Sequence, residues 1–204
     1  MNQELTRQNA QELAQLMNSI EHNKIEQISK LIKEKIYNSE TKLKTGKKLL
    51  ICGNGGSAAQ ADHMMGELIG RYKGDRTPFP CLNLSSSSAT TTCISNDYGS
   101  EYIFTRAIEA LGEEGDILLA LTTSGYSKNI TEAVAKAKEM GITTICLLGK
   151  KREPKHPYQK SVHGVADYEI EIPSLSTART QECHIFILHS ICDYLEKNSL
   201  ENKD

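Results

Sequence analysis

The chain has 204 residues, of which 38% are hydrophobic and 25% charged, with a formal net charge of −2. That length can bury one core, and the near-neutral balance argues against nucleic acid or an anionic membrane as the main partner, because no long-range field attracts either. No apolar run approaches the roughly 20 residues that cross a bilayer.

Residues 5–45 are polar with apolar residues at helical spacing: Leu13, Leu16, Met17, Ile20, then Ile25, Ile28, Leu31, Ile32 and Ile36. This pattern predicts two helices with a bend near His22-Asn23 and a solvated charged face. The opening stretch MNQELTRQNAQELAQ carries acids and no continuous apolar core, unlike a secretory signal. Five short apolar segments follow: Leu49–Cys52, Phe79–Leu84, Ile117–Leu121, Thr143–Leu148 and Tyr168–Ile172. Helical patterns lie between them near 57–72, 101–111 and 127–140, with a last one near 177–197. Strands alternating with helices predict an α/β fold, a parallel sheet of about five strands flanked on both faces. Lys150–His163, with two prolines and many charges, reads as an exposed loop. The six cysteines form no CxxC pair, so a reduced, cytoplasmic protein is expected. The whole is read as one domain, with residues 1–46 as a helical N-terminal extension and 47–199 as the core.

Two strand-to-helix turns have the chemistry to hold an anion. One is Gly53-Asn54-Gly55-Gly56-Ser57, and the other is TTSGYSKN, Thr122 to Asn129. Glycines let backbone N–H groups approach an oxyanion closely, and hydroxyls add donors without adding charge. Gly53, Gly55 and Ala58 also satisfy a dinucleotide-type GxGxxA pattern. The second predicted strand, however, ends LNLSSSS and supplies no carboxylate for a ribose. No Lys-Ser/Thr follows the glycines, which excludes a Walker loop. Two ordinary tight turns are the bland alternative.

His63 and Glu67 stand four residues apart, on one helical face. Gln181 and His189 are eight residues apart in the last helix, about 80° around its axis, whereas His184 is about 140° from His189. His63, Glu67, Gln181 and His189 make an N/O donor set that suits zinc, although glutamine is an unusual zinc ligand. A surface hydrogen bond for the first pair and a core position for His189 are the competing readings.

Four motifs in order, CGNGGSAAQADH…GELIGRY, SNDYGSEYIFTR, GDILLALTTSGYSKNI and ARTQECHIFILH, resemble the phosphoheptose isomerases of the sugar-isomerase (SIS) domain family. The resemblance runs from about Leu49 to Leu195. It implies a three-layer sandwich and a homotetramer with active sites between subunits. It also implies one zinc per subunit on His63, Glu67, Gln181 and His189. Substrate contacts fall on Asn54, Gly55, Gly56, Ser57, Glu67, Arg71, Asn96, Asp97, Thr122, Thr123, Ser124, Ser127 and Gln181, with Arg71 reaching a neighbouring site. The implied reaction converts sedoheptulose 7-phosphate to D-glycero-D-manno-heptopyranose 7-phosphate, the first step toward nucleotide-activated heptose. It would pass through an enediol with Glu67 as base and His189 as acid/base. Thr122 replaces the usual serine, Tyr126 stands where a small polar residue is common, and the 150–163 loop is longer than usual. Non-catalytic SIS proteins, which bind the replication initiator or sense sugar phosphates, are the rivals, together with SIS isomerases for other sugar phosphates. The presence of Glu67 and His189 favours catalysis.

Overall fold

The computed structural model describes residues 3–38, 41 and 43–200. Two helices, α1 (Gln3–Ser19) and α2 (His22–Ile36), lead into a two-residue hairpin of β1 (Tyr37–Asn38) and β2 (Leu43–Lys44). The break between the helices falls at Ile20-Glu21, just before the expected bend. The sheet strands are β3 (Leu49–Gly53), β4 (Cys81–Asn83), β5 (Ile117–Thr122), β6 (Thr143–Gly149) and β7 (Tyr168–Ile172). Between and after them run α3 (Gly56–Ile69), α4 (Ser88–Asp97), α5 (Ile103–Leu111), α6 (Lys128–Glu139) and α7 (Thr177–Leu200).

All pairings in the five-stranded sheet are parallel, in the order β4-β3-β5-β6-β7. Every residue of β3 and β5 is buried, because both faces of the sheet are covered. Leu49, Ile51, Leu119, Leu121, Ile145 and Leu147 share one cluster with residues of α2, α3 and α7. Leu50, Cys52, Leu118, Ala120, Cys146 and Leu148 share the other with α4, α5 and α6. The apolar runs therefore have no period because alternate side chains enter different cores. Ile25, Ile28, Ile32 and Ile36 of α2 belong to the first cluster, so this helix is an integral part of the core layer.

Helix α4 was absent from the expected elements. Its sequence SATTTCISND has no apolar period and buries only Ile94, yet Ser87 caps it by accepting from the Thr90 N–H at 3.2 Å. The pattern expected near 101–111 divides into a 3-10 turn, Ser100–Tyr102, followed by α5. The helix expected over 57–72 stops at Ile69, where Gly70 closes it.

Chain order and strand order disagree in one place. From β3 the chain moves outward to β4, then returns to lay β5 on the other side of β3. Helix α3 leaves on one face of the sheet and α6 on the other. A crevice opens where such neighbouring strands send their chains apart, and both glycine loops sit at that place.

His184 on α7 is fully buried and bonds through Nε2 to the Leu148 carbonyl at 3.3 Å, while its Nδ1 has no partner. Burial holds its pKa down at about 4, against an ordinary 6.5. The folded state keeps the ring neutral, whereas the unfolded chain protonates it as the pH drops below 6.5. The associated stability is complete above that pH and is lost as the pH falls toward 4, at most about 3 kcal/mol. His184→Gln keeps a donor for Leu148 and removes this titration. Urea unfolding of that variant is expected to show a correspondingly flatter pH dependence between 6.5 and 4.

Candidate active site

The first loop is built by close approach. A side chain at Gly53 would meet the Ser57 backbone at 2.8 Å, and Gly55 adopts φ 55°, so each position needs glycine for a different reason. Ser85 clamps the strand end: its Oγ accepts from the Gly53 N–H at 3.3 Å and its hydroxyl donates to the Gly53 carbonyl at 3.0 Å. Ser57 is buried, and its N–H donates to the Asn54 carbonyl at 3.0 Å. Asn54, Gly55 and Gly56 are exposed, at the helix end where unpaired N–H groups favour an anion.

In the second loop Thr122 and Ser124 hold the turn. Thr122 Oγ1 accepts from the Gly125 N–H and Ser124 Oγ from the Tyr126 N–H, both at 3.2 Å. Thr123 is half-buried, and its carbonyl lies so close to Gly149 that a side chain there would sit 2.3 Å away. Ser127 stands at the N-cap of α6 without using its hydroxyl to cap the helix. The two loops are joined by a reciprocal amide pair. Asn54 Nδ2 donates to Asn129 Oδ1 at 2.9 Å, and Asn129 Nδ2 donates back to Asn54 Oδ1 at 2.8 Å.

The 150–163 segment is largely exposed, but it is strapped to the second loop near both of its ends. The Tyr126 hydroxyl donates to the Arg152 carbonyl at 2.5 Å, Gln159 Nε2 to the Tyr126 carbonyl at 3.2 Å, and the Val162 N–H to the Gly125 carbonyl at 2.8 Å. His163 lies over Gly125, held by the Gly149 carbonyl at 3.1 Å and Ser161 Oγ at 2.8 Å.

Helices α3 and α7 lie side by side and run in the same direction, since Gly56 meets Gln181 and His63 meets His189. His63 Nε2 is 2.9 Å from His189 Nε2 and 3.3 Å from Glu67 Oε1. Ligand atoms of the three residues all fall within 4.8 Å of one another. This His-Glu-His set fits a metal ion: it offers two imidazole nitrogens and a carboxylate oxygen, the donors zinc prefers. The His63 side chain is 46% exposed and that of Glu67 22%, so the set faces outward along the two helices. Gln181 enters from the same helix as His189, but its amide lies against Gly56 at the loop end of α3.

Two neighbours of this set were not anticipated. The Tyr72 ring centroid is 5.7 Å from that of His189, and its hydroxyl bonds Asp193 at 3.4 Å. Arg76 closes the C-terminal end of α3, donating to the carbonyls of Glu67 at 2.5 Å and Leu68 at 2.8 Å. Its guanidinium is otherwise enclosed by Glu196 at 3.7 Å and the Phe79 ring at 4.5 Å. Seated there, it fixes the helical turn that carries Glu67.

Asn96 and Asp97 bond locally at the end of α4, and Arg71 follows α3 four residues after Glu67. The Asn96 amide donates to Asp97 at 2.8 Å, and the other Asp97 oxygen accepts from Cys93 at 3.5 Å. Arg71 is exposed just beyond α3, with no carboxylate partner among the described residues. Asn129, the last residue of the TTSGYSKN motif, joins the second loop to the first through Asn54 and was not among the expected site residues.

The SIS domain family model matches residues 8–149. A phosphoheptose isomerase of Campylobacter concisus is 46% identical over 76% of this chain and 78% of its own length. One from Campylobacter jejuni is 41% identical over 87% of this chain and 94% of its own. Among solved structures, the phosphoheptose isomerase of Neisseria gonorrhoeae superposes with a TM-score of 0.79 at 30% identity, covering 96% of this chain and 98% of that one. That of Francisella tularensis gives 0.78 at 33% identity, with 95% and 94% covered. Fold, site chemistry and these likenesses agree: the chain belongs to the phosphoheptose isomerases, sugar-phosphate isomerases of the SIS domain family.

Proposed function

We propose that the protein converts sedoheptulose 7-phosphate to D-glycero-D-manno-heptopyranose 7-phosphate through an enediol, with Glu67 as base and His189 as acid/base. One observation supports this reading: the Glu67 carboxylate of α3 and the His189 ring of α7 meet beside His63, and α3 begins at one of two linked glycine loops. The phosphate rests in Thr122–Ser127, held by hydroxyls and the α6 N-terminus, each contact contributing about 0.5–2 kcal/mol.

In the forward direction the Glu67 carboxylate removes a proton from C1 while His189 supplies one to the C2 oxygen, giving the enediol. His189 then takes the proton of the C1 oxygen, and Glu67 returns its proton to C2, leaving the aldose and both groups in their starting states. Zinc, when held by His63, Glu67 and His189, would supply Lewis-acid polarisation of the C1 and C2 oxygens. Gln181 is kept in the proposed ligand set, and its place against Gly56 equally suits contact with substrate. Asn54 reads a sugar hydroxyl, and Asn96 and Asp97 serve the chain between phosphate and C2.

A homotetramer, with Arg71 reaching a neighbouring site, completes the proposal. Supporting it, α1 runs for 17 residues without burying one, and Arg71 and His63 stand exposed. No helix among the described residues is long and apolar enough to cross a membrane, and all six cysteines are free, which suits the cytoplasm. The test is a panel of C5, C6 and C7 ketose phosphates. The heptulose phosphate is expected to exceed the others in kcat/KM at least tenfold. Preference for a shorter sugar would overturn the substrate, and no turnover of any would overturn the enzyme reading.

A further inference from the structure

The Asn54–Asn129 pair has no counterpart in the mechanism above. Asn54 is exposed in the first loop and Asn129 is half-buried in the first turn of α6, two residues after Ser127. They are 75 positions apart in the chain, yet each amide gives and receives one hydrogen bond. A carboxamide has two N–H donors and an oxygen with two lone pairs. The pairing leaves Asn54 one N–H and one lone pair for a ligand. Rotating either amide alone would set N–H against N–H and oxygen against oxygen, so the plane of the Asn54 amide is tied to that of Asn129.

We infer that Asn129 is a positioning residue: it orients the Asn54 amide toward the substrate hydroxyls and locks the first loop to the phosphate-holding turn. This rests on the reading of Asn54 as a substrate contact. The location supports the role, because the pair bridges the crevice between β3 and β5, where the two chains diverge.

The test is a double-mutant cycle in kcat/KM for sedoheptulose 7-phosphate, together with the crystal structure of Asn129→Ala. Asn54→Ala and Asn129→Ala are each expected to lower kcat/KM about tenfold, the loss expected for two hydrogen bonds of ordinary strength. Both should act on the same parameter, KM or kcat, and the double variant should be within threefold of the worse single one. Losses that multiply, or an Asn129→Ala enzyme as active as wild type, would overturn the inference. The crystal structure decides independently of turnover. A rotated or disordered Asn54 amide supports the role, and an amide unmoved from its wild-type plane refutes it, even if an inactive wild type sinks the isomerase reading.

Discussion

Glu67→Gln is expected to give a folded protein whose kcat is lower by about 10³-fold, the scale of losing a general base. The substitution preserves shape, and a side chain 22% exposed at the edge of the set supports no core contact. The amide can still lie beside His63 but cannot take a proton from carbon. His189→Ala is expected to lose a similar factor, with a small additional cost in stability from its lost contacts with His63 and Tyr72. Elemental analysis of both variants separates the two roles of these residues. A variant that keeps its metal and loses turnover has lost proton transfer, and one that loses both has lost a ligand. Circular dichroism melts check that each is folded. Retention of a tenth of wild-type kcat by either variant would remove that residue from the proton-transfer scheme.

Gly125→Ala is the second substitution with a large expected effect. Gly125 has φ 73°, a conformation that costs an L side chain about 1–2 kcal/mol. Its new methyl would also stand 2.1 Å from His163 Cε1. The ring must move and give up its bonds to Gly149 and Ser161, worth about 1 kcal/mol each. The sum, about 3 kcal/mol, falls on the turn that presents Thr122, Ser124 and Ser127. It should appear as a rise in KM of about 10²-fold. Adding His163→Ala removes the clash but neither the backbone strain nor the loss of the two ring bonds, so the double variant should match Gly125→Ala within a few-fold. Losses that add in the double variant would show that Gly125→Ala does not act on this turn through the His163 ring.

Sequence and structure agree most closely where the physics is local. The runs LLIC and ILLAL read as doubly buried strands because nothing but a covered sheet accommodates such segments, and both are buried throughout. The i, i+4 spacing of His63 and Glu67 fixes their shared face whatever the rest of the chain does. Spacing on α7 gave the angle between Gln181 and His189. It carried no information on what each would meet, and Gln181 meets Gly56. Helix α4 was illegible because SATTTCISND owes its helix to a cap and to tertiary neighbours, with little amphipathic pattern. The same holds for Asn129, Arg76 and the strap from 150–163. Each acts through a partner outside its own element, and a single sequence records no such pairing.

The account depends on one ligand-held geometry, with the phosphate end in the turn after β5 and the reacting end between two parallel helices. The most direct measurement is a crystal structure of Glu67→Gln soaked with sedoheptulose 7-phosphate. The account predicts the phosphate against Thr122–Ser127 and C1 and C2 beside the residues at 67 and 189. A phosphate seated elsewhere, or a sugar whose first two carbons lie away from His189 in every subunit, would contradict it.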